Sequence, residues 1–242
     1  RESLDYLHFP PPDAPLETLA DGHHPTQRRL ALEELLAHQL SLYRIRLRIQ
    51  DDAAPALPAS GGLATRFLTQ LPFSLTGAQR RVLSEISADI SQATPMLRLV
   101  QGDVGSGKTV VAAMAMLQAV AGGYQAALMA PTELLAEQHY KSLKRWFEPL
   151  GIEVAWLSGK LKGKARLEAK AMISEGRARV VAGTHALFQD DVHFHRLGLA
   201  VIDEQHRFGV HQRLALRQKG EVSTDGRSSG TTPHQLIMTA TP

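Results

Sequence analysis

Between residues 71 and 242, short apolar runs alternate with stretches of helical periodicity, and this alternation limits the fold more than any other feature of the chain. The runs 96–100, 126–130, 154–157, 180–182, 199–202 and 236–239 are mostly apolar, whichever face each residue takes. Strands of that kind suit a parallel sheet buried on both sides. Between them fall helical stretches at about 76–92, 108–121, 133–147 and 164–175. Strand and helix in repetition predict an α/β fold, with a parallel sheet covered by helices on both faces. Such sheets bind ligands beyond the carboxyl ends of their strands.

Residues there carry chemistry. Directly after the run 96–100 comes Gly102-Asp103-Val104-Gly105-Ser106-Gly107-Lys108-Thr109, followed by a helical stretch. It matches the phosphate-cradling pattern G-x-x-x-x-G-K-[ST] in its required strand–loop–helix setting. Glycines let backbone N–H groups converge on phosphate oxygens, and the helix N-terminus adds positive dipole. Lys108 is placed to meet β- and γ-phosphates, and the Thr109 hydroxyl to ligate Mg²⁺. A second run, 197–202, ends in Asp203 and Glu204. Asp203 suits Mg²⁺, held mostly through its water shell, and Glu204 suits orienting or deprotonating the attacking water. Glycine loop and paired acids together point to hydrolysis of an Mg²⁺-bound nucleotide, with ATP expected.

Upstream, residues 25–49 read as one long helix with an apolar stripe of Leu32, Leu35, Leu36, Leu40, Tyr43 and Leu47, expected to pack on another element. Residues 51–62, rich in Ala, Pro and Gly, read as a linker. The expected organisation is a helical connecting segment over 1–70 and an ATP-binding lobe over 71–242. The longest apolar run, 110–120, contains Gln118 and falls well below the ~20 residues of a membrane span. No membrane partner is expected, and residues 1–12 lack the basic-then-apolar pattern of a secretion leader. With no cysteine to form disulfides, a cytoplasmic location follows. Arg1 in place of Met suggests a piece of a longer protein. The basic run Lys160, Lys162, Lys164, Arg166, Lys170, Arg177 and Arg179 reads either as a solvated helix face or as a phosphate-binding one. Without Cys or acids in ligand spacing beyond Asp190 and Asp191, His193 and His195 are not expected to form a metal site.

Asp203-Glu204-Gln205-His206 resembles the DExH box of superfamily-two helicases and translocases. Five other strings, from Phe73 to Pro242, follow that family's order. The string from Phe73 to Gln79 resembles its adenine-sensing Q motif, which implies hydrogen bonding by Gln79 and stacking by Phe73. The stretch including Pro131, Thr132 and Glu133, and that including Gly183, Thr184 and His185, resemble the two motifs that contact the nucleic-acid backbone. Met238-Thr239-Ala240-Thr241-Pro242 resembles the motif coupling nucleotide state to strand movement, which implies coupling roles for Thr239 and Thr241, with His206 linking them to the hydrolytic residues.

Finer strings are similar to the RecG branch of that superfamily. They are the glycine loop, Asp203 to Val210, Ser158-Gly159-Lys160 with its continuation to Lys164, and His24 to Arg29. That resemblance implies a double-stranded DNA translocase remodelling forks and Holliday junctions in recombination and repair. Its partners are branched DNA and, within one longer monomeric protein, a second motor lobe and a wedge domain. Ser158, Gly159 and Lys160 become further candidate DNA contacts, and the location becomes the bacterial cytosol and nucleoid. Because the second lobe supplies an arginine finger, the single lobe is expected to bind nucleotide and scarcely hydrolyse it. The alternatives are the motor lobe of a transcription-repair coupling translocase, which shares Arg207-Phe208-Gly209, and a regulatory ATPase indifferent to DNA. The run 221–230 reads as a mobile insertion.

Overall fold

The structure, a computed structural model, describes residues 2–14, 19–50, 52–204 and 231–240. The chain divides into two compact units, Arg1–Asp51 and Asp52–Pro242. In the first, helix α1 (Glu2–His8) packs against α2 (Pro25–Gln50). Pro25 occupies the first helical position, where its missing N–H is not needed and its φ is already helical. Tyr6 stacks on His24 with ring centroids 4.7 Å apart, and Gln27 Nε2 donates to Leu19 O at 2.9 Å. The apolar stripe differs from expectation. Leu32, Leu35, Leu36, Leu40 and Tyr43 are all exposed, Leu35 at 62%. No described element of this unit covers the stripe.

The second unit is a six-stranded, all-parallel sheet in the order β1-β6-β5-β2-β4-β3. Its strands are β1 (Leu97–Gln101), β2 (Gln125–Met129), β3 (Val154–Leu157), β4 (Val180–Gly183), β5 (Leu197–Asp203) and β6 (His234–Thr239). Strand β5 is buried along its whole length. Alternate residues of each inner strand serve opposite faces. Leu199, Val201, Leu236 and Met238 join a core closed by helices α3 (Gly62–Gln70), α4 (Gly77–Ile90), α5 (Lys108–Ala121) and α6 (Glu133–Phe147). Ala200, Ile202 and Ile237 join a smaller core under α7 (Gly163–Ser174) and the short helix His185–Phe188. The α/β fold with helices on both faces is the one expected.

The segment 52–70 packs with this unit, so the observed division falls at 51/52, where the expected one stood at 70/71. Leu57 and Phe67 are fully buried, and Phe67 meets the edges of Trp146 and Phe147 on α6. A composition rich in Ala and Pro looks like a linker, yet Leu57 within it is buried in the core, as is Phe67 on the helix that follows. Two of the buried polar side chains tie distant segments together. Gln125 Nε2 donates to Ile173 O and Ala178 O, and His234 bridges Met96 N–H and Pro55 O.

Candidate active site

Three neighbouring strands, β1, β6 and β5, end on one side of the sheet and bring three separated sequence strings together. Gly102 N–H, at the start of the glycine loop, donates to Thr239 O at 3.3 Å. Glu204 N–H donates to Met238 O at 2.9 Å, and Glu204 Oε1 accepts from Ala240 N–H at 3.3 Å. Loop, acid pair and the end of β6 thus form one hydrogen-bonded seam. The order β1-β6-β5 is the reason, because it sets β6 between the two strands that carry the chemistry.

The glycine loop turns with Gly105 and Gly107 at φ +83, a region that side chains with a Cβ disfavour. A Cβ at Gly107 would also lie 2.3 Å from Gln79 Nε2. Gln79 completes a capping box with Thr76 at the start of α4, and its Nε2 donates to Ser106 O at 2.9 Å. This side chain, expected at the adenine, is seen here bracing the loop backbone. Lys108 Nζ lies back on the loop, donating to Gly102 O at 2.6 Å and Asp103 O at 2.9 Å. Thr109 follows it on α5, whose N-terminus faces the loop. Val104 is 91% exposed. Phe73, half exposed, lines an open pocket of about 560 Å³ with Leu68, Leu71, Pro72, Leu75 and Arg80.

Asp203 is buried at the end of β5, and His139 Nε2 donates to its Oδ2 at 2.6 Å. Glu204 takes a left-handed backbone at φ +52, alone among the described non-glycine residues. Such a conformation costs on the order of 1–3 kcal/mol and tends to gather at functional sites. His206 and Thr241 lie outside the described residues, as does the run 221–230. Sequence reasoning missed His139. Its signal was the spacing Ala136, His139, Leu143 on α6, which sets an imidazole among core-facing positions where a polar group needs a partner.

The expected nucleic-acid residues sit at the neighbouring ends of β2, β3 and β4. Thr132 caps α6 through Leu135 N–H and is exposed. Pro131 beside it is partly buried. Glu133 pairs with Lys160, which holds the carboxyl below its ordinary pKa and lifts the ammonium above its own. Gly159 is exposed, but Ser158 is buried. Gly183 is buried too, since a Cβ there would meet Leu157 O at 1.9 Å. Thr184 is buried as the cap of the short helix, so only His185 of that string reaches the surface. The basic run is largely paired. Arg166 and Lys170 both hold Asp191, and Arg177 holds Glu175. Lys162 and Lys164 are exposed and stand outside those pairs. Among the described residues, no cluster of three or more His, Asp or Glu forms a metal site. No described helix is long and apolar enough to cross a membrane.

The sequence pattern of the DEAD/DEAH box helicases matches residues 76–242. The chain belongs to the DEAD/DEAH box helicase family. Membership implies use of ATP. Its relatives include the ATP-dependent DNA helicase RecG of Escherichia coli O157:H7, 58% identical over 241 residues. RecG of Haemophilus influenzae is 57% identical over 242. Both matches take in 100% of this chain and 34% of the relative, so the chain spans about a third of the length of the curated relatives it matches. Among solved structures, one of RecG bound to a three-way DNA junction superposes with a TM-score of 0.76 at 42% identity. That match covers 91% of this chain and 28% of the other. The similarity to the RecG branch of this helicase family, read first from short strings, holds along the chain.

Proposed function

We propose that this chain is the ATP-binding lobe of a motor that moves on double-stranded DNA and remodels branched DNA, in forks and Holliday junctions, during recombination and repair. The observation that carries this reading is the seam joining the glycine loop, the Asp203–Glu204 pair and Ala240 across three strand ends. Similarity to RecG, one structure of which is bound to a three-way DNA junction, supplies the substrate class.

In this reading the loop N–H groups and Lys108 hold the phosphates of ATP, and Gln79 and Phe73 engage the base. Thr109 and Asp203 hold Mg²⁺. A hydroxyl and a carboxylate are hard oxygen donors, and two protein ligands suit an ion that keeps most of its waters. When bound, Mg²⁺ offsets charge on the phosphates. Glu204 orients the attacking water and accepts its proton. Its hydrogen bond from Ala240 N–H gives the end of β6 a direct hold on that carboxylate, so the hydrolytic acid is joined to the expected coupling string. Exposed Thr132, Gly159, Lys160 and His185 form the DNA-facing rim, while Ser158, Gly183 and Thr184 support it from below. Because the opposing wall of the nucleotide cleft belongs to a second lobe, the lobe alone binds nucleotide and hydrolyses it scarcely. An arginine finger from that wall is worth roughly 10³–10⁵ in rate in related phosphoryl-transfer enzymes.

The deciding experiment is the steady-state ATPase rate of the intact protein with and without forked DNA. Strong stimulation by forks, above that by linear duplex, supports the proposal. Turnover indifferent to DNA would replace it with a regulatory ATPase.

A further inference from the structure

His139 lies on α6, ten residues past the end of β2 and far in sequence from the acid pair. Its Nε2 is 2.6 Å from Asp203 Oδ2, and both side chains are nearly buried, at 13% and 11% exposed. A carboxylate oxygen accepts, so the ring nitrogen facing it carries the proton and the Nε2–H tautomer is set by this contact. Ala136 and Leu143 on the same face of α6 are fully buried, so the helix turn that carries the imidazole is anchored in the core. The bond engages Oδ2 of Asp203, and among the described residues no hydrogen bond takes Oδ1, the oxygen available to an incoming ligand. Carboxylates that bind metals need this kind of support, since an unrestrained Asp can rotate about χ2 and share its charge between two orientations.

We infer that His139 is a positioning residue for the metal carboxylate: it fixes the rotamer of Asp203 so that one oxygen is held toward the cation that accompanies ATP. This rests on the proposed role of Asp203. It places His139 outside the reacting atoms, acting through the acid alone. A supporting residue of this kind typically contributes about 10–100-fold to metal affinity or activity.

The test uses the intact protein, Mn²⁺ in place of Mg²⁺, and ADP. Bound Mn²⁺ is read by its electron paramagnetic resonance signal, independent of turnover. His139→Gln keeps an N–H donor at about the reach of Nε2, whereas His139→Asn stops short of it. Loss of packing alone affects both variants alike, and thermal melting checks that each is folded. H139N is expected to raise the Kd for Mn²⁺ in the ADP complex about 10-fold or more. H139Q is expected to stay within about 3-fold of wild type, and ADP affinity in EDTA to be the same in all three. Wild-type Mn²⁺ affinity in H139N, or equal loss in H139Q and H139N, would overturn the inference. Asp203→Asn is measured alongside. If D203N binds Mn²⁺ as wild type does, the role of Asp203 itself falls. If D203N loses the metal while H139N keeps it, only the role of His139 falls. In the double variant H139N/D203N, the effect of H139N should vanish, and its persistence would also count against the bond.

Discussion

Replacing His234 with Ala should be among the more damaging single changes to the Asp52–Pro242 unit, although it lies away from the nucleotide. The ring is fully buried at the start of β6. Its Nδ1 accepts from Met96 N–H at 3.0 Å, and its Nε2 donates to Pro55 O at 2.8 Å. It therefore pins the incoming segment 52–57 to the sheet where β1 and β6 begin. Alanine would strand one buried N–H and one buried C=O, each costing about 1–3 kcal/mol, or about 2–6 kcal/mol together. The cavity left by the ring adds to this. The same site makes a pH prediction. Burial pushes the His234 pKa below its ordinary value, opposed by the hydrogen bond to Pro55 and the charge of Asp89. A base whose pKa is lower folded than unfolded takes up protons preferentially on unfolding. Its stabilisation is therefore complete above about pH 6.5 and is lost as pH falls toward the lowered folded value. The assay is urea denaturation at pH 8 and pH 5, read by Trp146 and Trp156, the two tryptophans of the chain, both in this unit. H234A should be destabilised at pH 8 and should lose less than wild type between pH 8 and pH 5. A cost under about 1 kcal/mol at pH 8, or an identical acid loss in both proteins, would refute the reasoning.

Lys108→Ala should reduce ATP hydrolysis by the intact protein to background, because it removes the cation expected at the β/γ-phosphates; near-normal steady-state turnover would exclude this loop. Glu204→Gln should retain Mg²⁺–ADP binding by calorimetry and lose about 10²–10⁴ in hydrolysis, the range general base catalysis supplies; joint loss of binding would mean that Asp203 and Glu204 do not divide their roles as assigned. Lys162→Ala with Lys164→Ala should lower the log–log salt slope of duplex binding by about 1.8, two phosphate contacts at about 0.9 each. An unchanged slope would return these lysines to a solvated face. Lys160 is set apart from them by its pairing with Glu133.

Sheet, helices and the phosphate loop were legible in the sequence for a local reason. Apolar runs too short for helices, and glycines that only a tight loop requires, carry their meaning within a few residues. Val154–Leu157, Lys108–Ala121 and Glu133–Phe147 occur where periodicity sets them. The helix Gly62–Gln70 did not announce itself, because the Ala- and Pro-rich stretch before it resembles a linker. The burial of Leu57 and Phe67 in the core shared with α5 and α6 makes that segment part of the unit. The stripe on α2 shows the opposite case, a local pattern that the described structure leaves exposed.

Within the site, composition and spacing determined which residues could do chemistry, and strand order decided which of them meet. No spacing rule relates Gly102 to Thr239, or Glu204 to Ala240. They touch because β6 lies between β1 and β5. The burial of Gly183 was equally invisible beforehand, since it follows from how closely β3 approaches β4 at Leu157. His139 is the sharpest instance. The sequence by itself determined that an imidazole would stand on the apolar face of α6. Only the packing of that helix over the sheet decided that the group waiting for it is Asp203, because a hydrogen bond between residues 64 positions apart exists only once both elements are in place.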